Sequence, residues 1–171
     1  MKIVLLGYMG SGKSTVGKVL SDRLQLRFID QDRYIEEAEG QTIPEIFSTK
    51  GELYFRKKEQ FYLKEILDLQ DNFVLATGGG TPCYGNNMQF ILEATPNVFY
   101  LKLSIATLVE RLFREKEDRP LIKHHSEEAL PEFIGKHLFE RNRFYTMANH
   151  TINGDGHGVE AIVDEILTLL V

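Results

Sequence analysis

The chain has 171 residues, of which 43% are hydrophobic and 26% are charged. This composition is ordinary for a soluble globular protein and suffices for one domain with a buried core. The formal net charge of −5 argues against a nucleic-acid-binding surface, and a single cysteine, Cys83, excludes an internal disulfide or a cysteine-cluster metal site. We expect Cys83 to be a packed side chain.

The apolar segments of the chain are short. Four strongly apolar residues precede Gly7, too few for the core of a signal peptide. No apolar run approaches the roughly 20 residues that span a bilayer. We therefore expect a single cytoplasmic domain over residues 1–171 without a membrane or nucleic-acid partner. We also expect a monomer, although neither composition nor apolar pattern determines the oligomeric state.

Strand and helix patterns alternate along the chain. The predicted strands cover residues 3–6, 27–29, 73–76, 98–103 and 151–153. The predicted helices cover residues 13–24, 32–39, 44–48, 52–69, 87–94, 105–114, 128–148 and 158–170. This alternation predicts an α/β fold in which helices flank a parallel sheet.

The first strand is followed by a phosphate-binding motif. Residues 7–14 read Gly-Tyr-Met-Gly-Ser-Gly-Lys-Ser and match G-x-x-x-x-G-K-[ST] between a predicted strand and a predicted helix. The glycines let successive backbone N–H groups point inward at a helix N-terminus. Lys13 would add a positive charge for the outer phosphates, and the Ser14 hydroxyl would be a hard oxygen ligand for Mg²⁺.

Two further strands end in residues suited to ligand contact, and ligands of open parallel sheets lie at these ends. The second strand ends near Asp30 and Asp32, which would face the same way along a strand and aim at one site. Alternatively, Asp32 merely caps the next helix. The third strand is followed by glycines 78–80, which favour backbone contact with a substrate over a purely structural turn.

Two arginines stand out among the helical residues. Arg141 shares a helix face with Leu130, Ile134, Leu138, Tyr145 and Ala148. An inward guanidinium needs an anion, which is either a ligand or an internal carboxylate, unless the side chain reaches the surface. Arg56 lies near the start of the predicted 52–69 helix, with Glu59 at i+3 as a residue that would orient it.

Residues 114–126 differ in character from the rest of the chain. They combine dense charge with Pro120 and the pair His124-His125. We predict a lid over the phosphate site, to which Arg114, Lys116 and Arg119 would contribute cations, rather than a simple surface loop. The two histidines are expected at the surface.

Taken together, these segments resemble the shikimate kinase family over essentially the whole chain. The matching segments are residues 7–15, 28–32, 51–56, 76–80, 119–121 and 140–142, with Tyr145. One position departs from the family pattern Arg-x-Pro-x-Tyr, since Arg143 replaces the proline. Residues 141 and 143 are about 200° apart on a helix, so Arg143 should point away from the site.

The resemblance implies transfer of the ATP γ-phosphoryl group to the 3-hydroxyl of shikimate, within the route to aromatic amino acids. It also implies a P-loop fold like that of nucleoside monophosphate kinases, with five parallel strands in the order 2-3-1-4-5 and a closing lid. The shikimate-binding residues implied by it are Asp32, Arg56, Gly79, Gly80 and Arg141.

The resemblance implies roles on the nucleotide side as well. The implied ATP-binding residues are Gly10, Ser11, Gly12, Lys13, Ser14, Thr15, Arg111 and Arg119. Lys13, Asp32 and Arg119 would be catalytic, with Asp32 as a base or as a group that orients the hydroxyl. Ser14 and Asp30 would hold Mg²⁺, and Arg111 would lie near adenine.

Two other classes of function are open at this point. One is a gluconate or nucleoside monophosphate kinase of the same fold. The other is a nucleotide-dependent switch, although the N-K-x-D element expected of a GTPase is absent from the sequence. The acid pair, Arg56 and the three glycines together favour a cyclic carboxylate as acceptor.

Overall fold

The computed structural model describes residues 1–119 and 121–171, apart from the side chain of Asp118. Pro120, which belongs to the predicted lid and to the 119–121 motif, lies outside the described residues. Within the described part of the chain, no helix combines the length and apolar character that a membrane crossing requires.

Five parallel strands form one sheet. They are β1 (Lys2–Leu6), β2 (Arg27–Asp30), β3 (Phe73–Ala76), β4 (Val98–Lys102) and β5 (His150–Asn153). Their order is β2-β3-β1-β4-β5, which confirms the predicted topology. Leu5 of β1 pairs with Ala76 on one side and with Phe99 on the other, so β3 ends one residue before the end of β1 and β4 continues two residues beyond it.

Seven α-helices cover the sheet in the described structure. They are α1 (Lys13–Leu24), α2 (Gln31–Glu39), α3 (Ile43–Leu67), α4 (Asn87–Ala94), α5 (Ile105–Glu115), α6 (Leu130–Tyr145) and α7 (Val159–Leu169). Short 3₁₀ turns cover Thr81–Cys83 and Lys116–Asp118. Helix α6 is shorter than the predicted 128–148, and the chain turns after Tyr145.

Helix α3 consists of two helical segments that meet at a kink at Gly51, which confirms the break predicted between residues 48 and 52. Thr42 and Glu45 form a reciprocal capping box at its start, which accounts for helix formation ahead of Pro44. Gly51 has φ 84° and ψ 169°, so the helix axis bends where the sequence predicted a break between helices. The bend lies just before Arg56.

The core has two layers because side chains alternate across the sheet. Val4 and Leu6 of β1 pack toward the side that carries Leu63 of α3 and Ile134 of α6. Ile3 and Leu5 face the opposite layer, with α1 and α7. A third, smaller cluster joins α2 to α3 and consists of Ile35, Ile46, Phe55 and Tyr62.

Candidate active site

The phosphate loop follows β1 in a strained conformation that only glycine adopts easily. Gly10 and Gly12 have φ of 77° and 93°. A Cβ atom at Gly10 would lie 2.8 Å from Leu112, so a side chain there would collide with α5. The loop thereby brings its backbone amides to the N-terminus of α1, where an anion is favoured.

Lys13 is bent back onto the phosphate loop. Its ammonium group donates hydrogen bonds to the carbonyls of Gly7 at 2.8 Å and Tyr8 at 3.0 Å. Burial lowers the pKa of Lys13 to about 8. The positive charge of Arg119 also lowers this pKa, whereas the carboxylate of Asp32 partly raises it. The charge is thus held next to the amide cradle, at the place where the outer phosphates of a nucleotide would lie.

The two acids after β2 have different roles. Asp30 accepts a hydrogen bond of 2.6 Å from the Ser14 hydroxyl through Oδ2. Its Oδ1 accepts one of 3.3 Å from the Arg33 amide, so Asp30, and not Asp32, is the N-cap of α2. The strand ends at Asp30, so strand alternation does not explain why both acids face one cavity; the start of α2 turns Asp32 toward it.

Asp32 lies in the first turn of α2, half-buried against the glycine loop. A Cβ atom on Gly78 would lie 2.9 Å from its Oδ1. Burial, followed by the carboxylates of Asp30 and Glu59, raises the pKa of Asp32 to about 6. The group is therefore mostly ionised at neutral pH but has a raised proton affinity, which suits a hydroxyl partner.

Arg56 is held in place by a buried carboxylate and an aromatic ring. It donates a hydrogen bond of 2.8 Å to Glu59, whose side chain is only 2% exposed. The other Glu59 oxygen accepts from the Thr81 hydroxyl at 2.8 Å. The Tyr84 ring lies 3.8 Å from the guanidinium carbon. These contacts fix the guanidinium plane beside the glycine loop.

Arg141 is 7% exposed, as its place on the apolar face of α6 predicted. Within residues 1–119 and 121–171, no salt bridge to it is found. An ideal Cβ position on Gly80 lies 3.1 Å from its Nη2 and 2.9 Å from Nη1 of Arg56. Two guanidinium groups thus converge over Gly80, and the pair is suited to an anionic ligand.

A cavity of about 450 Å³ lies between the phosphate loop, the two acids Asp30 and Asp32, and the start of the glycine loop. Ten predicted site residues line it, namely Gly10, Gly12, Lys13, Ser14, Thr15, Asp30, Asp32, Gly79, Arg111 and Arg119. Arg56, Gly80 and Arg141 are not part of its lining but lie next to Gly79. Ser11 is also outside the lining, and its side chain is buried.

The segment 114–126 has one of its three candidate cations at the cavity, and its role as a lid stays a prediction. Only Arg119 of its three candidate cations lines the cavity, where it donates to Glu115 at 3.1 and 2.8 Å. Arg114 is 76% exposed and pairs with Glu110, and Lys116 lies over the Phe113 ring. Both basic side chains have neighbours of their own within α5.

The remaining sequence predictions can be placed directly. His124 is exposed, but His125 is half-buried and stacks on Phe133 at 4.3 Å, so the surface prediction holds for His124 alone. Arg143 is exposed, as predicted from its helical angle. Burial raises the pKa of the Cys83 thiol to about 11, consistent with a packed side chain.

Sequence comparison identifies the family. The model of the family described as shikimate kinase matches residues 9–171. A shikimate kinase of Flavobacterium psychrophilum is 46% identical over 169 residues, which cover 99% of this chain and 98% of the relative. The chain belongs to the shikimate kinase family. Membership in this family makes the protein an ATP-dependent kinase with a P-loop.

Solved structures of the family agree with the fold. The crystal structure of shikimate kinase from Bacteroides thetaiotaomicron superposes with a TM-score of 0.91 at 35% identity, covering 99% of this chain and 97% of that one. The shikimate kinase from Acinetobacter baumannii, solved in complex with shikimate, gives a TM-score of 0.87 at 34% identity, with coverage of 98% and 91%.

Proposed function

We propose that this protein phosphorylates shikimate at its 3-hydroxyl with ATP as donor, giving 3-phosphoshikimate and ADP, in the route to aromatic amino acids. One observation carries the proposal. The guanidinium groups of Arg56 and Arg141 converge over Gly80, and only Arg56 has a carboxylate partner among the described residues. The acceptor implied by this arrangement carries a carboxylate and lies at the end of a phosphate-binding cavity.

The acceptor would bind through its carboxylate and its ring hydroxyls. A planar carboxylate matches the planar guanidinium fork, and charge-assisted bonds of this kind are the stronger ones. Asp32 would accept a hydrogen bond from a ring hydroxyl. The backbone of Gly79 and Gly80 would lie against the ring, since neither residue has a side chain to hold it away.

The donor would bind with its phosphates in the loop formed by residues 7–15. Amides at the start of α1 would hold the inner phosphates. Lys13 would exchange its bonds to the carbonyls of Gly7 and Tyr8 for bonds to phosphate oxygens. Arg119 would bind phosphate oxygens from the other side. Both cations would stabilise charge on the transferring phosphoryl group. Arg111, which donates to the Gly10 carbonyl at 3.4 Å, would border the rest of the nucleotide.

The transfer forms one O–P bond and breaks another. The acceptor oxygen attacks the γ-phosphorus, the bond to the bridging oxygen of ADP breaks, and the hydroxyl proton leaves. Asp32 orients the hydroxyl and takes up the proton, for which a pKa of about 6 is well matched to neutral pH. Little driving force from the base is required, since such transfers are largely dissociative.

The donor set beside the phosphate loop fits Mg²⁺. Ser14 and Asp30 present a hydroxyl and a carboxylate oxygen 2.6 Å apart, and Mg²⁺ prefers few protein oxygens together with water and phosphate. Ser14 would be a direct ligand, and Asp30 would act directly or through water. When bound, the ion would neutralise phosphate charge.

We propose a monomer as the functional unit, because one chain carries groups for both the donor and the acceptor. The use of ATP supports a cytoplasmic location. The segment 114–126 would close over the nucleotide and exclude water, carrying Arg119 with it.

The decisive test is an assay of ADP formation with shikimate, gluconate and AMP as separate acceptors, each with and without Mg²⁺. We expect Mg²⁺-dependent turnover with shikimate alone, with 3-phosphoshikimate identified by mass spectrometry. Turnover with AMP or gluconate but not with shikimate would refute the proposal. ATP binding that no acceptor converts into turnover would favour a nucleotide-dependent switch.

A further inference from the structure

His137 lies on the inner face of α6 and has no role in the mechanism described above. Its Nδ1 is 2.9 Å from the hydroxyl oxygen of Tyr8, with which it shares a hydrogen bond. The two rings meet edge to face with centroids 5.4 Å apart, and Tyr8 is 1% exposed. A side chain of α6 is therefore fixed to the phosphate loop, 129 residues away along the chain.

Tyr8 contacts both halves of the candidate site. Its carbonyl accepts a hydrogen bond from Lys13 on the donor side. The face of its ring lies 5.7 Å from the guanidinium carbon of Arg141 on the acceptor side. A shift of the Tyr8 ring would therefore shift the guanidinium group of Arg141.

Arg141 lies midway between two anchored residues of α6. His137 precedes it by four residues and is bonded to Tyr8, while Tyr145 follows it by four and donates a hydrogen bond of 2.5 Å to the Gly79 carbonyl. Residues four apart share a helix face, so the two anchors bracket Arg141 on the inner face of α6. This also explains how Arg141 stays inward although Arg143 replaces the family's proline.

We infer that His137 is a positioning residue for acceptor binding, because its hydrogen bond to Tyr8 holds α6 against the phosphate loop and sets the place of Arg141. This inference rests on the proposed function. Burial, reinforced by Arg141 and Arg56, lowers the pKa of His137 to about 4. The imidazole is consequently neutral at physiological pH and adds no third positive charge beside the two guanidinium groups.

The test compares His137→Leu, Tyr8→Phe and the double variant. We expect His137→Leu to raise the KM for shikimate about three- to tenfold, the factor that one neutral hydrogen bond is worth, with kcat and the KM for ATP changed by less than about twofold. Tyr8→Phe should have a similar effect. The double variant should be no worse than His137→Leu, because both changes remove the same bond.

A conservative variant and a matched control separate positioning from general packing. His137→Asn keeps a polar atom near the Nδ1 position and should restore most of the KM. His150→Leu is the control, since His150 is also half-buried and stacks on an aromatic ring, Phe99 at 4.9 Å, but lies on the edge strand β5. The KM of this control should not change.

Three results would overturn the inference: an unchanged KM for shikimate in His137→Leu and Tyr8→Phe, an equal rise in both KM values, or no recovery in His137→Asn. If His137→Leu does not fold, Tyr8→Phe decides, because it removes one oxygen atom and keeps the ring. If the unaltered protein does not phosphorylate shikimate, both the proposed function and the inference about His137 are refuted. Normal turnover with insensitive variants refutes the inference alone.

Discussion

The hydroxyl of Ser14 donates a hydrogen bond of 2.6 Å to the carboxylate of Asp30, which ties the first turn of α1 to the end of β2. The other oxygen of the same carboxylate accepts from the Arg33 amide and caps α2. One side chain thus has two separable tasks. Oδ2 belongs to the proposed Mg²⁺ site, and Oδ1 belongs to the helix.

Asp30→Asn should separate these tasks. Asparagine caps helices as well as aspartate does, so the melting temperature should hardly change. The lost charge should raise the Mg²⁺ concentration for half-maximal activity by about tenfold or more. A magnesium titration of the turnover rate measures this. Asp30→Ala, which also loses the cap, should cost about 1 kcal/mol of stability in addition. An unchanged magnesium titration for Asp30→Asn would remove Asp30 from the site.

Lys13→Ala should lower kcat by about 100- to 1000-fold, because a preorganised cation next to the transferring phosphoryl group would be lost. The fold should persist, since the hydrogen bonds of Lys13 among the described residues go to carbonyls of its own loop. Steady-state kinetics and a thermal melt check both statements. The control is Lys18→Ala, an exposed lysine of the same helix, which should keep normal kcat. Near-normal kcat in Lys13→Ala would reject the role.

Arg141→Ala should raise the KM for shikimate about 10- to 100-fold, as expected for hydrogen bonds to a charged group, and affect the KM for ATP much less. Arg143→Ala is the matched control, since Arg143 is exposed two residues further along α6. Thermal unfolding must accompany the kinetics, because Arg141 is buried. Equal losses of affinity for both ligands would assign Arg141 a structural role instead.

The sequence predicted those parts of the site that depend on short motifs. The phosphate loop, Asp30, Asp32 and the glycines after β3 are each set by a few consecutive residues at the end of a strand. The sheet order was implied by the family resemblance alone, whereas the alternation of elements predicted a parallel sheet flanked by helices. The burial of Arg141 followed from helical periodicity, which fixes the direction of a side chain without knowledge of its partners.

Contacts between distant segments could not be predicted in this way. The Tyr84 ring against Arg56, and the bond between His137 and Tyr8, depend on how a turn and a helix pack in three dimensions. Lys58 of α3 is half-buried and lies 3.9 Å from Glu39 of α2 for the same reason. A single sequence carries no periodic signal for such pairs.

Gly80→Ala should impair acceptor binding through contact with the two guanidinium groups. Gly80 has φ −87° and ψ −14°, which alanine adopts without strain. The added Cβ would lie 2.9 Å from Arg56 and 3.1 Å from Arg141, so both side chains must shift. We expect about a tenfold higher KM for shikimate, within the usual cost of overpacking. Gly158→Ala, with no atom within 4 Å of the new Cβ, should be neutral in the same assay. Equal behaviour of the two variants would contradict convergence at Gly80.

The pH dependence of kcat/KM should be bell-shaped, because it reports groups of the free enzyme. Below about pH 6, Asp32 is protonated and no longer accepts the hydroxyl proton, so the rate falls as pH decreases. Above about pH 8, Lys13 loses its charge and the rate falls again. Bound phosphates should raise the pKa of Lys13, so the upper limb of the kcat profile should move to higher pH. A flat profile between pH 5 and pH 9 would contradict both roles.

Ionisation of Asp32 should also make the free energy of unfolding depend on pH. The pKa of Asp32 is raised above its ordinary value of 3.8, so the folded state binds this proton more tightly than the unfolded chain. Its contribution to the free energy of unfolding therefore falls as pH rises from about 4 to about 6, by an amount on the order of 3 kcal/mol. Asp32→Asn, which resembles the protonated acid, should match the unaltered protein below pH 4 and be more stable above pH 6. Urea titrations of both proteins across this range measure the difference. A variant that is less stable at pH 7 than the unaltered protein would show that the ionised carboxylate stabilises the fold, opposite to the sign argued from its burial.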